Sequence, residues 1–207
     1  MKIPSDSTVS RVPTFEKVPI LVSACLLGLH CRYDGREKGA PALMAFAPSA
    51  RFIPFCPEQL GGLPTPRPPA HIKGGDGRDV IHGRAKVLNE AGENVTRAFL
   101  RGAAEGLHLA RTFGAGIILL KDKSPSCGIH SPYCESPSGE GMGVAAALFA
   151  RSGYRILEIG PDDSFPPKEL IEWIGKASPS PSSVLPGERQ VPGPRHWEKG
   201  ISGTRSA

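Results

Sequence analysis

Val18-Pro-Ile-Leu-Val-Ser-Ala24 is a short apolar run, rich in β-branched residues, that ends at Cys25. Its length and composition predict a buried strand. Working outward, Arg51-Phe-Ile-Pro-Phe55 predicts a second short strand, ending at Cys56. Pro54 supplies no N–H, so it must lie where the ladder needs no donor. Ala115 to Leu120 predicts a third buried strand, and Arg155 to Ile159 a last one. Helical patterns lie between them. Asn94 is a good N-cap. Val95, Phe99, Ala103, Leu107 and Ala110 then recur at helical spacing until Gly114 and Gly116 stop the run. Ala40 to Ala50, Met142 to Ser152 and Pro166 to Lys176 predict shorter helices. Strands alternating with helices predict an α/β fold of three layers around a mainly parallel, Rossmann-like sheet. Ligands of such sheets bind beyond the carboxyl ends of the strands.

Two stretches read differently. Gln59 to Gly77 is dominated by Gly and Pro and predicts a long loop rather than a helix. Asp79 to Leu88 alternates in polarity and predicts, with Asn89 to Gly92, a small hairpin or edge strand.

The chain has 207 residues, enough for one domain or one domain with an appendage. Its 25 Gly and 22 Pro approach a quarter of the residues, yet 39% are hydrophobic and come in blocks. That pattern fits many tight loops around a core. The expected organisation is a flexible leader over 1–17, a folded domain over 18–160, a short helix within 161–176, and a disordered Pro/Ser/Gly-rich tail over 177–207. No run of ~18–20 apolar residues predicts a membrane span. Met1 to Glu16 lacks the apolar centre of an export signal, so a cytoplasmic location is expected. The net charge of +5 suits anionic small ligands. With aromatics at 6% and no basic run interleaved with them, binding to long nucleic acid is disfavoured.

The cysteines carry more information. There are five: Cys25, Cys31, Cys56, Cys127 and Cys134. An odd number without an export signal argues against a disulfide framework. Cys25 and Cys56 each follow a predicted strand, and Cys127 lies in the loop just after Leu120. The carboxyl ends of parallel strands share one edge, so these three thiols could converge into a metal site. They could equally be three small buried hydrophobes. Cys31 and Cys134 fall in polar loops and read as bystanders, with Cys31 an alternative ligand.

Glu58, two residues after Cys56 in a Pro-rigid turn, could serve as general acid or base. Ser124 and Ser126 flank Pro125 just before Cys127, where a hydroxyl could position water or bond a cluster sulfur. Ordinary Ser-Pro turn chemistry explains them as well. Arg32, Arg67, Lys121 and Lys123 could hold an anionic group such as phosphate, or be solvated loop charges. The chain has no G-x-x-x-x-G-K-[ST], H-E-x-x-H or G-x-S-x-G motif, and no G-x-G-x-x-G after a strand.

Four ordered motifs carry a family resemblance: Ser23-Ala-Cys-Leu-Leu-Gly28, Cys31-Arg-Tyr-Asp-Gly35, Cys56-Pro-Glu-Gln-Leu-Gly-Gly-Leu-Pro-Thr-Pro-Arg-Pro-Pro69 and Lys123-Ser-Pro-Ser-Cys-Gly128. Over about Val18 to Ile159 the chain resembles the DUF523 family, whose characterised members are thiouracil desulfidases of the TudS type. The resemblance implies a [4Fe-4S] cluster held by Cys25, Cys56 and Cys127 in loops at the carboxyl ends of the strands. Its fourth iron would be open to the sulfur of a small thiolated uracil base or nucleotide, of the 2-thiouracil or 4-thiouridine monophosphate kind. The catalytic side chains it implies are Glu58 and Ser124. Water would replace sulfur as the carbonyl oxygen, and hydrosulfide would leave without net redox change. Cys134 departs from the family pattern. The rival expectation is a non-catalytic iron–sulfur or zinc-binding module in sulfur or metal traffic, closed by Cys31 or Cys134 as fourth ligand.

Overall fold

The computed structural model describes residues 17–44, 50–130, 132–136, 140–160 and 166–176. The tail expected over 177–207 and all but the last residue of the expected leader lie outside them.

Four parallel strands form the main sheet: β1 (Val18–Ser23), β2 (Ala50–Phe55), β5 (Ile117–Lys121) and β6 (Arg155–Ile159), in the order β2-β1-β5-β6. The two central strands are buried on both faces. Ile20, Leu21 and Val22 of β1 and Ile118, Leu119 and Leu120 of β5 are each 0% exposed, as their unbroken apolar sequence requires. Pro54 lies on β2, an edge strand, where a missing donor is tolerated.

Helices cover both faces. One core gathers Ile20, Val22, Ile117 and Leu119 with Leu43 of α1 (Pro41–Met44) and Leu170 of α6 (Lys168–Lys176). Of the helix expected over Ala40 to Ala50, Ala50 belongs to β2, and 45–49 lie outside the described residues. The opposite face takes α4 (Thr96–Thr112) and α5 (Val144–Arg151). There Phe55 of β2 meets Phe149 of α5 edge to face, with ring centroids 5.6 Å apart. The three-layer, mainly parallel α/β expectation therefore holds. The helix expected to start after Asn94 begins one residue later than a cap at Asn94 would place it, and Asn94 Oδ1 accepts from Thr96 N at 3.1 Å.

The Gly/Pro-rich stretch is not one long loop. It contains a helical turn, α2 (Pro57–Leu60), and strand β3 (Ala70–Lys73). β3 pairs antiparallel with β4 (Lys86–Asn89) in a separate two-stranded sheet. Only residues from Lys86 onward bear out the edge-strand expectation. Asp79 to Ile81 belong instead to the helical turn α3 (Gly77–Ile81). Asp76 starts that turn: its Oδ1 accepts from the amides of Arg78 and Asp79, while the Asp79 side chain accepts from Asp76 N.

Two backbone features bear on stability. Gly102 of α4 faces α2 so closely that a methyl group there would overlap the carbonyl of Pro57. This contact seats the turn that carries Glu58. Gly102→Ala is expected to lower stability by about 1–3 kcal/mol or more through overpacking, measured as a drop in the urea midpoint. Asp76 is 3% exposed and also accepts from Met142 N (3.1 Å) and Arg78 Nε (2.7 Å), joining α3 to the segment before α5. Burial alone would raise its pKa. The Arg78 guanidinium and the Met142 and Arg78 amides outweigh burial and hold it below the ordinary value. A carboxyl lowered on folding stabilises fully above its unfolded pKa of about 3.9 and loses that contribution as pH falls through the folded value. Asp76→Ala is expected to cost about 1–3 kcal/mol at pH 7, and the gap to wild type should close in acid when unfolding is followed against pH.

Candidate active site

The strand order reverses between β1 and β5, because β1 has β2 on its other side. Such a switch point opens a crevice at the carboxyl ends of the strands. Ser23, the last residue of β1, closes its floor by accepting from the Lys121 amide at 3.1 Å. Beyond it lies a cavity of about 710 Å³ lined by Cys25, Cys31, Cys56 and Cys127, with Glu58, Arg67, Lys121 and Ser124 among the other wall residues.

Each thiol is placed by local chain chemistry. Cys25 sits in a 3-10 turn over Ala24–Leu27 that Gly28 ends at φ 84°, a left-handed conformation natural to glycine. Cys56 precedes Pro57 at the start of α2, which is how the Cys-Pro-Glu order puts thiol and carboxylate on one turn. Cys127 is held from two sides. Ser124 Oγ accepts from the amides of Ser126 (3.2 Å) and Cys127 (3.1 Å). The opening of α5 docks beneath, with Val144 N and Ala145 N donating to the carbonyls of Pro125 and Ser126, both at 2.9 Å.

The three strand-end cysteines thus share one cavity, as their placement in sequence suggested. Cys31 does not behave as a bystander in space. It is 3% exposed, and its thiol lies against those of Cys25 and Cys56. Cys134 bridges to Ile72 and is not among the cavity-lining residues. All five cysteines are free.

The pocket disfavours the thiolate form of three of its cysteines. Contact with Cys25 comes first in pushing Cys31 up to about 11. Burial pushes Cys127 up to about 12. Contact with Cys31, then burial, raises Cys56 strongly. Neutral thiols crowded in a buried site are what a soft cationic group would deprotonate on binding. Among the described residues, no three His, Cys, Asp or Glu side chains are gathered tightly enough for a single metal ion. Four thiols share the wall of one cavity, and their softness suits iron–sulfur groups.

Glu58 is fixed at both oxygens. Arg67 Nε donates to Oε2 at 2.6 Å and Ser126 Oγ donates to Oε1 at 3.0 Å. Arg67 also donates from Nη1 to Pro64 O and Thr65 Oγ1, both at 3.1 Å, and from Nη2 to Cys31 O at 3.0 Å. Four of its five N–H bonds are therefore committed within the protein. Arg67 is therefore neither of the two things its sequence allowed, an anion holder or a solvated loop charge: it is buried and spent on the protein itself. Arg32 pairs with Asp34 at 3.0 Å and Lys121 with Asp122 at 3.1 Å. Lys38, Lys73 and Lys123 also line the cavity and form no ion pair among the described residues. Ser126, 2% exposed, serves Glu58 rather than the cavity.

Residues 20–159 match the 2-thiouracil desulfurase family. The chain belongs to that family. Among its relatives is the uncharacterized protein YbbK of Bacillus subtilis (strain 168), 43% identical over 141 residues that cover 67% of this chain and 93% of YbbK. Among solved structures, the [4Fe-4S]-dependent thiouracil desulfidase TudS (DUF523Vcz) is 40% identical with a TM-score of 0.63, over 77% of this chain and 99% of TudS. The matched region of the desulfurase family ends at Ile159, yet α6 beyond it adds Leu170 to the core of this chain. No helix among the described residues is long and apolar enough to cross a membrane.

Proposed function

We propose that this desulfurase-family chain is a desulfidase that removes sulfur from small thiolated uracils, free or as nucleotides, with a [4Fe-4S] cluster held by Cys25, Cys56 and Cys127. The observation that carries the reading is the meeting of these three thiols with Glu58 and Ser124 in one cavity at the switch point. The donor set fits such a group, being three soft thiols on the wall of one cavity. When bound, the cluster would supply an open iron, a soft Lewis acid that makes the thiocarbonyl sulfur a better leaving group.

The protein's own groups supply the rest. Each Glu58 oxygen is engaged once and keeps a lone pair. The carboxylate can therefore orient a water and take its proton as the water attacks the ring carbon. Both acceptor positions of Ser124 Oγ are used by backbone amides, so its hydroxyl hydrogen is its remaining bonding capacity. That hydrogen would steady the water or the oxygen forming on the ring. One water supplies the new carbonyl oxygen, sulfur leaves as hydrosulfide, and no electrons are gained or lost.

The cavity volume exceeds that of a bare pyrimidine, and Lys38, Lys73 and Lys123 on its wall suit a 5′-phosphate. Comparing 2-thiouracil with 4-thiouridine monophosphate tests this. The nucleotide should show the higher kcat/KM, with the advantage shrinking in salt. Equal values at low salt would leave the phosphate unread.

A further inference from the structure

Glu58 is two residues from Cys56, on a helical turn only four residues long. Such a turn does little by itself to fix a side chain with three rotatable bonds. The fixing comes from two other segments. One is the loop between α2 and β3, where Arg67 stands between Pro66 and Pro68. Proline on both sides restricts the backbone there, and Arg67 N donates to Tyr33 O at 2.8 Å. The other is the loop after β5, which brings Ser126 Oγ to the second carboxylate oxygen. Arg67 is 8% exposed and Ser126 2% exposed, so neither donor is diluted by solvent.

We propose that Arg67 and Ser126 are positioning residues that clamp the Glu58 carboxylate between them, leaving one lone pair on each oxygen turned to the water of the reaction. Arg67 does this through its side-on Nε, while the rest of its guanidinium ties the same point to the Cys31 carbonyl and to the Pro64–Thr65 turn. The clamp links three of the four sequence motifs: the one with Cys31, the one with Glu58 and Arg67, and the one with Ser126. A lysine cannot reproduce this fork, because it carries one rotatable ammonium in place of a planar set of donors.

The proposal rests on the reading of Glu58 as the catalytic carboxylate, and a double-mutant cycle separates the two. Cluster-loaded Arg67→Met should keep its iron content and its KM for 2-thiouracil while kcat falls about 10–100-fold, the effect of a misplaced catalytic group. Arg67→Lys should recover only part of that loss. In a Glu58→Gln background, Arg67→Met should cost little further, because the group it positions is already gone. An equal fractional loss in both backgrounds would overturn the clamp while leaving Glu58 in place, and so would a raised KM with kcat unchanged. Full turnover by Glu58→Gln would remove the underlying reading itself. Ser126→Ala, a smaller change, supports the same cycle if Arg67→Met does not fold: loss confined to the Glu58 background supports the clamp, and additive loss overturns it. Crystals of the cluster-free Arg67→Met protein give a readout independent of turnover. There the Glu58 carboxylate should leave its position beside residue 67, and an unmoved carboxylate would contradict the proposal.

Discussion

Cys127→Ser is expected to fold, to bind no [4Fe-4S] cluster on anaerobic reconstitution, and to release no hydrosulfide from 2-thiouracil above background. Cys25→Ser and Cys56→Ser should do the same. Serine keeps the size of the side chain but replaces a soft thiolate with a hard hydroxyl that stays protonated, a poor ligand for iron–sulfur groups. Each thiol hangs from a different strand end, so losing one cannot be made good by shifting the others. Cys127 is held in place by Ser124 and the opening of α5, which grip its loop. Cys134→Ser should leave iron content unchanged, since that residue lies outside the cavity wall. Cys31→Ser should also retain the cluster, although Cys31 lies against Cys25 and Cys56, two of the proposed ligands. Iron analysis and the visible absorbance of the reconstituted proteins check all five. Full iron in any of the first three would remove that residue from the ligand set.

Glu58→Gln should separate cofactor from catalysis. The amide is nearly isosteric and leaves the backbone that carries Cys56, two residues earlier, unchanged, so cluster absorbance should match wild type. An amide cannot take a proton from water, and kcat should fall about 10²–10⁴-fold, the range for loss of a general base. KM should change little, because the carboxylate acts on the water rather than on the ring. Steady-state kinetics on protein matched for iron content measures this. Wild-type turnover would take Glu58 out of the mechanism.

What could be read from sequence followed the strength of the local signal. β1 and β5 are continuous apolar runs, and a strand buried on both faces has no other pattern to show. α4 declared itself through a repeated apolar face. β3 did not, because four residues between Pro69 and Gly74 give no alternation to count, and its pairing with β4 depends on contacts across the intervening turn. α3 was hidden for a similar reason: a five-residue turn started by Asp76 carries no period.

The site divides the same way. Cys25, Cys56 and Cys127 were found because strand ends in a parallel sheet are neighbours whatever their separation in sequence. Their assignment as cluster ligands came from the family resemblance. The closeness of Cys31 to Cys25 and Cys56 was not legible, because it depends on how the loop beyond Gly28 folds back, which spacing does not encode. Arg67 was left between an anion holder and a solvated loop charge. A lone arginine among prolines shows its charge but not its acceptor, and that acceptor is a carboxylate nine residues earlier. Ser124 and Ser126 looked equivalent around Pro125. The turn sends one hydroxyl to the Cys127 amide and the other to Glu58.

The most direct measurement is a single turnover of the anaerobically reconstituted protein with 2-thiouracil in ¹⁸O-labelled water, with no reductant added. The expected products are uracil carrying one labelled oxygen and an equal amount of hydrosulfide, formed only by cluster-loaded protein. A well-formed cluster that yields neither product, from 2-thiouracil or from 4-thiouridine monophosphate, would contradict the account and favour a non-catalytic carrier of sulfur or metal.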